Sequence, residues 1–213
     1  MSEIRVENII GETGNDAVKF TKGIIVTGIA TATNVSVGSS VTATNFYGSG
    51  ANLTGIESGL TVAQQWRLTA TKNITTSRSF VTSDWEAVDT TAYGAISSLS
   101  ESSGVFTFPA TGIYLIRFIG AHESTGAINW SQTEIHTTTD NGTYNVAGYG
   151  YAHLASGSQY QSSINEFIFD CTNTSTHKVM FACRGSNTES KLYGGSGTSV
   201  NQTYATFIRL GAT

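Results

Sequence analysis

From residue 104 onward, apolar and polar positions alternate with the period of two that a half-buried strand requires. In GVFTFPATGIYLIRF (104–118), Phe106 and Phe108 fall on one side and Pro109 and Gly112 mark a turn. Tyr114, Ile116 and Phe118 then return to one side of the next run. Comparable segments predict strands over 66–71, 79–81, 105–108, 113–122, 128–136, 144–153, 164–171, 177–183 and 204–210. Loops such as TTTDNGT (137–143), TNTST (172–176) and RGSNTESKLYGGSGTS (184–199) separate them, and so many short strands in one region predict a β-sandwich. The turn at 173–176 suggests that 164–171 and 177–184 form a hairpin with Cys171 opposite about Lys178. Cys183 then lies well along the ladder, a separation that disfavours a disulfide.

Upstream of residue 57 the pattern changes to short β-prone runs punctuated by glycine and almost free of charge. TATNVSVG (31–38) restarts as TATNFYG (42–48), with Phe46 in place of Val35. Units this short bury one or two apolar side chains each, so neighbouring chains must supply the remaining cover. Three chains wound about an axis would let Val35, Phe46, Leu53 and Ile56 point inward against their symmetry mates. The alternative is a flexible linker, although a Gly/Ser linker would lack the regular β-branched residues. Residues 57–67 (ESGLTVAQQWR) read as a junction, with a helical turn placing Leu60, Ala63 and Trp66 on one side. The expected organisation is therefore 1–22 as an attachment segment, 23–56 as a shaft, 57–67 as a junction and 68–213 as a head.

Composition narrows the function. The chain has 23 glycines and one proline among 213 residues, and charged residues make up 12 %, against about 25 % in ordinary domains. The net charge is −4 and the 11 lysines and arginines are scattered, which excludes the clustered basic surface of a nucleic-acid binder. No apolar run reaches the roughly 18 residues of a membrane span. MSEIRVENII carries Glu3 and Glu7 where an export signal has a basic flank, so neither a signal peptide nor membrane insertion is expected.

Two resemblances follow from particular motifs. MSEIRVENIIGETG, DAVKFTKGIIVTGIATATNVSV and NFYGSGANLTGI, which together span residues 1–56, resemble the opening of structural and fibre proteins of tailed phages of marine bacteria, cyanobacterial phages in particular. The spacing F-x-F-P-x-x-G-x-Y-x-x-x-F in 106–118 and the closing TYATFIRLG (203–211) resemble the jelly-roll heads of the complement-subcomponent and tumour-necrosis-factor superfamily. The second resemblance implies a trimeric head with aromatic residues at its core or three-fold axis, for which Tyr114, Phe118, Tyr204 and Phe207 are the matching positions. The expected fold class is all-β: a short N-terminal β-structured trimeric shaft followed by a C-terminal jelly-roll sandwich.

Candidate chemistry is sparse. His122, His136, His153 and His177 fall near strand ends without metal-binding spacing and are expected at the surface or barrel rim. Asp84, Glu86, Asp89 and Asp140 fall short of a full Ca²⁺ ligand set. Glu123, Glu134, Asp140 and Glu166 would need to converge in space to cleave a glycoside. No catalytic residue, metal or cofactor is expected. Trp130, Tyr149, Tyr151, Tyr160 and Tyr193 lie in or near loops as receptor-facing candidates, with core or trimer-contact roles as the competing reading. Together these features lead us to expect a virion protein made in the host cytoplasm. It would be a short homotrimeric fibre or tail appendage, attached to other virion proteins through its N-terminus and presenting the head to a host surface glycan or protein. The alternative is a capsid, collar or tail decoration protein without its own receptor.

Overall fold

The computed structural model describes residues 25–29, 31, 37–38, 40–42, 59–89, 93–155, 159–197 and 200–213. The chain divides into two units, Met1–Asn52 and Leu53–Thr213. In the first unit the described residues carry neither helix nor strand, and Ile25, Val26, Ile29 and Val41 are exposed within the single chain. Val35, Phe46, Leu53 and Ile56, the inward-facing positions expected of the shaft, lie outside the described residues.

The second unit is all-β, with no helix among its described residues. Its strands are β1 (Ala63–Leu68), β2 (Lys72–Asn73), β3 (Ser79–Phe80), β4 (Trp85–Ala87), β5 (Ser100–Ser102), β6 (Val105–Thr107) and β7 (Gly112–Ser124), followed by β8 (Ile128–Thr138), β9 (Asn145–Leu154), β10 (Gln159–Cys171), β11 (Lys178–Gly185), β12 (Ser190–Leu192) and β13 (Tyr204–Gly211). The first sheet runs β2-β12-β7-β13-β1-β4, with β10 on the other edge of β7; the second runs β5-β6-β11-β8-β9, with β3 beside β11. Every pairing given is antiparallel.

The pairs β1–β13, β6–β11, β7–β10 and β8–β9 nest one inside the next, which is the jelly-roll topology of a hairpin folded over on itself. The expected hairpin of 164–171 with 177–184 does not form. β10 joins β7 in the first sheet and β11 joins β8 in the second, so the turn at 172–176 carries the chain across the sandwich. Cys171 and Cys183 are both buried free thiols. The helical turn expected over 57–67 gives way to β1, because Val62, Gln64 and Leu68 are buried at alternate positions and Trp66 packs on the same core. The sandwich therefore begins inside the segment expected as a junction.

The interior is aromatic. Phe106, Phe108, Tyr114, Phe118, Phe181 and Phe207 are at most 2 % exposed, and Trp85 packs edge-on against Phe106 at 5.2 Å between centroids. Burial of side chains this large contributes about 1.5–3 kcal/mol each. Tyr114 keeps its hydroxyl satisfied by donating to the Ala110 carbonyl at 2.8 Å. β5 and β6 are joined by Ser103 and Gly104 at φ 53° and 82°, a two-residue turn with both central residues left-handed. A Cβ on Gly104 would overlap the Val81 carbonyl oxygen.

Candidate functional site

Because side chains alternate across a strand, each sheet offers an outer face opposite the core. On the first sheet the register lines up three rows. Ile164, Ile119 and Tyr204 form one, which runs on to Arg67 and Glu86; Glu166, Arg117, Thr206 and Gln65 form the next, and Ile168, Leu115, Ile208 and Ala63 the third. Apolar side chains on β10 and β7 thus flank a polar row, within which the Arg117 Nε donates to Glu166 and the Gln65 amide donates to Thr206 Oγ1 at 3.1 Å. Ile164 and Ile168 are 60 % and 61 % exposed. Beside the third row Ala63, Gln65, Tyr93, Thr206 and Ile208 border a shallow depression of about 290 Å³.

The sequence-predicted core positions divide between the two sides of this sheet. Tyr114, Phe118 and Phe207 point into the sandwich and are fully buried, whereas Tyr204 lies on the outer face beside Ile119. Tyr160 and Tyr193 also belong with the first sheet: their rings meet at 6.0 Å near its end, and the Tyr160 hydroxyl donates to Glu123 at 3.1 Å.

The second sheet presents different chemistry. One row across β9, β8 and β11 holds Tyr151, Gln132 and Arg184, and the next holds Tyr149, Glu134 and Ala182, extended by Phe80 of β3. Glu134 is fully buried, yet it faces outward under this layer. It accepts from Arg78 Nε at 2.5 Å, from His136 Nε2 at 2.5 Å and from the Gln132 amide at 2.8 Å, and Arg184 Nε lies 3.3 Å away. The Arg184 guanidinium sits over the Trp130 ring at 5.5 Å. Tyr149 and Tyr151 stand side by side at 6.1 Å, 46 % and 58 % exposed. Of the five receptor-facing candidates, Trp130, Tyr149 and Tyr151 therefore share one face, and Tyr160 and Tyr193 belong to the other sheet.

The histidines depart from the expected rim positions. His153 is exposed and His177 half-buried, but His122 and His136 are buried at 0 % and 1 % exposure. His122 continues the inward parity of Tyr114, Ile116 and Phe118 into the gap between the sheets. There its Nδ1 meets Ser131 Oγ at 2.7 Å and its Nε2 meets Ser163 Oγ at 2.7 Å. In the neutral ring one nitrogen donates and the other accepts, and a serine hydroxyl fits either role. Removal from water pushes its pKa down to about 4. Ser163 also meets Thr133 at 2.8 Å, and Ser190 donates to Ser131 at 3.3 Å, so one end of the sandwich interior is a connected polar network.

The acidic candidates serve local structure. The Asp140 carboxylate accepts from the Thr138 hydroxyl and from the Gly142 and Thr143 amides at 2.6, 2.8 and 2.9 Å, which holds its pKa down at about 2 and closes the β8–β9 loop. Glu86 and Asp89 both face the buried Arg67, whose guanidinium also donates to the Gly195 and Gly197 carbonyls. Glu123, Glu134 and Glu166 are separately engaged, by Tyr160, by the arginines and His136, and by Arg117. Among the described residues no group of three or more His, Cys, Asp or Glu side chains is placed to hold a metal ion.

No protein-family model matches this chain, and no curated protein matches it either. Solved structures with a similar fold include murine APRIL at pH 5.0, at 15 % identity and a TM-score of 0.49 over 70 % of this chain and 98 % of that one. Another is Eiger TNF from S. frugiperda, at 12 % identity and a TM-score of 0.49 over 71 % of this chain and 94 % of that one.

Proposed function

We propose that this chain is a bacteriophage structural protein: a short homotrimeric fibre or tail appendage that attaches to the particle through its N-terminal segment and presents the sandwich as a host-recognition head. The observation that carries the assembly is the outer face of the first sheet. Apolar side chains on the outer face of a sheet gain from cover as those inside do, and Ile164 and Ile168 stand in water in the single chain. Further copies of the chain supply that cover, and the polar row between the apolar ones sets their register.

Three-fold symmetry is favoured by the N-terminal repeats. Ile25 and Ile29 are 94 % and 93 % exposed in the single chain, and winding three chains together gives such residues neighbours. One symmetry then serves both units. The virion setting rests on the resemblance of residues 1–56 to tailed-phage fibre proteins. The sandwich in this reading is a binding and structural module, not an enzyme.

Light scattering of the full chain tests the assembly: a trimer is expected, with Ile164→Glu/Ile168→Glu shifting it to monomers whose far-ultraviolet circular dichroism stays β-rich. A monomeric wild-type chain would overturn the proposal. Recognition is tested by adding purified protein to host cells before phage, where blocked adsorption is expected and unaltered adsorption at saturating protein rejects a receptor role.

A further inference from the structure

The outer face of the second sheet has more positive charge than its own carboxylate uses, and flat aromatic surface beside it. The Arg78 and Arg184 guanidiniums both face the single Glu134 carboxylate. Arg78 donates from Nε to Glu134, Arg184 Nε lies 3.3 Å from the same carboxylate without a hydrogen bond to it, and no acceptor among the described residues engages the terminal amino groups of either. Their side chains remain 38 % and 36 % exposed. Two parallel N–H groups on an arginine match the two oxygens of a carboxylate.

Tyr149 and Tyr151, their rings inclined at 36°, form an exposed ledge on the same face. Trp130 backs Arg184 and holds the guanidinium plane in place. We infer that this face binds an acidic oligosaccharide, with sugar rings packed by their C–H faces on the tyrosine ledge and a sugar carboxylate taken by the arginine pair. This inference rests on the reading of the sandwich as a recognition head and names the class of ligand.

Geometry favours an oligosaccharide over a single sugar. The tyrosines stand on β9 and Arg184 on β11, with β8 between them. At about 4.8 Å between neighbouring strands the ledge and the arginine are about 10 Å apart, a span that needs at least two linked pyranose rings. The ledge selects against an extended acidic peptide, which offers carboxylates but no flat C–H face. Glu134 keeps the arginines oriented, and its buried charge discourages a ligand from entering deeper than the guanidinium tips.

Isothermal titration of the full chain with trigalacturonic acid tests this. Saturable binding is expected, weakened about tenfold or more by Tyr149→Ala, by Tyr151→Ala and by Arg184→Gln. The tyrosine variants remove no ion pair, so their melting temperature and oligomeric state should match wild type and separate lost binding from lost folding. The fully methyl-esterified trisaccharide, which keeps the rings and loses the charge, is expected not to bind. The inference is overturned if trigalacturonic acid fails to bind, if its ester binds equally well, or if the three variants bind like wild type. It is equally overturned if triglutamate binds with the same dependence on these residues and the sugar does not. Wild-type protein that blocks adsorption but ignores trigalacturonic acid would reject this ligand class and leave the recognition role standing.

Discussion

His122 makes the sandwich acid-sensitive in a way that can be calculated and isolated. Its imidazole is fully buried between the sheets, hydrogen-bonded to the neutral hydroxyls of Ser131 and Ser163, and its pKa is pushed from 6.5 down to about 4. The hydroxyls around it carry no charge to offset an imidazolium. As pH falls below 6.5 the unfolded chain takes up a proton at this residue, and the folded chain does so only near pH 4. Stability is therefore complete above the unfolded value, falls through that window, and levels off below the folded value. At about 1.4 kcal/mol per tenfold change in proton affinity, the whole window is worth about 3 kcal/mol. That is a large share of the roughly 5–15 kcal/mol that holds an ordinary domain together. Urea unfolding at pH 7.5 and pH 4.5, at one fixed protein concentration, compares wild type with His122→Asn. The asparagine does not titrate, so contributions from the other acidic and histidine groups cancel in the difference. Wild type should lose about 2–3 kcal/mol more than the variant over this interval. Equal losses in the two proteins, or an NMR titration placing the His122 pKa near 6.5, would refute the reasoning.

Three further outcomes follow from the interior. Phe207→Ala opens a cavity among Phe106, Phe108 and Phe181, whose rings lie 5.2 to 6.2 Å away, and should cost about 3–5 kcal/mol in urea unfolding. Gly104→Ala combines a left-handed backbone with an overlap against the Val81 carbonyl and should lower stability by about 1–3 kcal/mol, with Ser102→Ala in the same hairpin as a near-neutral control. The Cys183 thiol is buried and its pKa is raised to about 12, so iodoacetamide at pH 8 should label it only in denaturant, as read by mass spectrometry.

Much of the sandwich was legible because its long strands obey simple parity. Tyr114, Ile116 and Phe118 carry an alternation readable in one strand, and the same parity extended to residue 122 already puts His122 inside. The strands that escaped notice, β2, β4, β5 and β12, are two or three residues long, too short to show any period. Glu134 and His136 were unreadable for a different reason. They point away from the core and are buried by Arg78, Phe80 and Arg184, which come from distant parts of the chain. The turn at 172–176 misled because a local turn signal is the same whether the next strand joins the present sheet or the opposite one. The division of Tyr160 and Tyr193 from Trp130, Tyr149 and Tyr151 likewise depends on which sheet each strand enters, and only the pairing decides that.

The placement of β13 has a consequence for how the protein is made. This strand lies between β7 and β1, so residues 204–211 fill the middle of the first sheet and join segments synthesised long before them. A nascent chain halted before residue 204 leaves β1 without its main partner and the Phe106–Phe181 aromatic cluster without Phe207. It also lacks Tyr204 and Ile208, which stand beside Ile119 and Leu115 on the outer face. The first sheet can therefore close only after residues 204–211 have been made, so its completion is tied to the last strand of the chain to be synthesised.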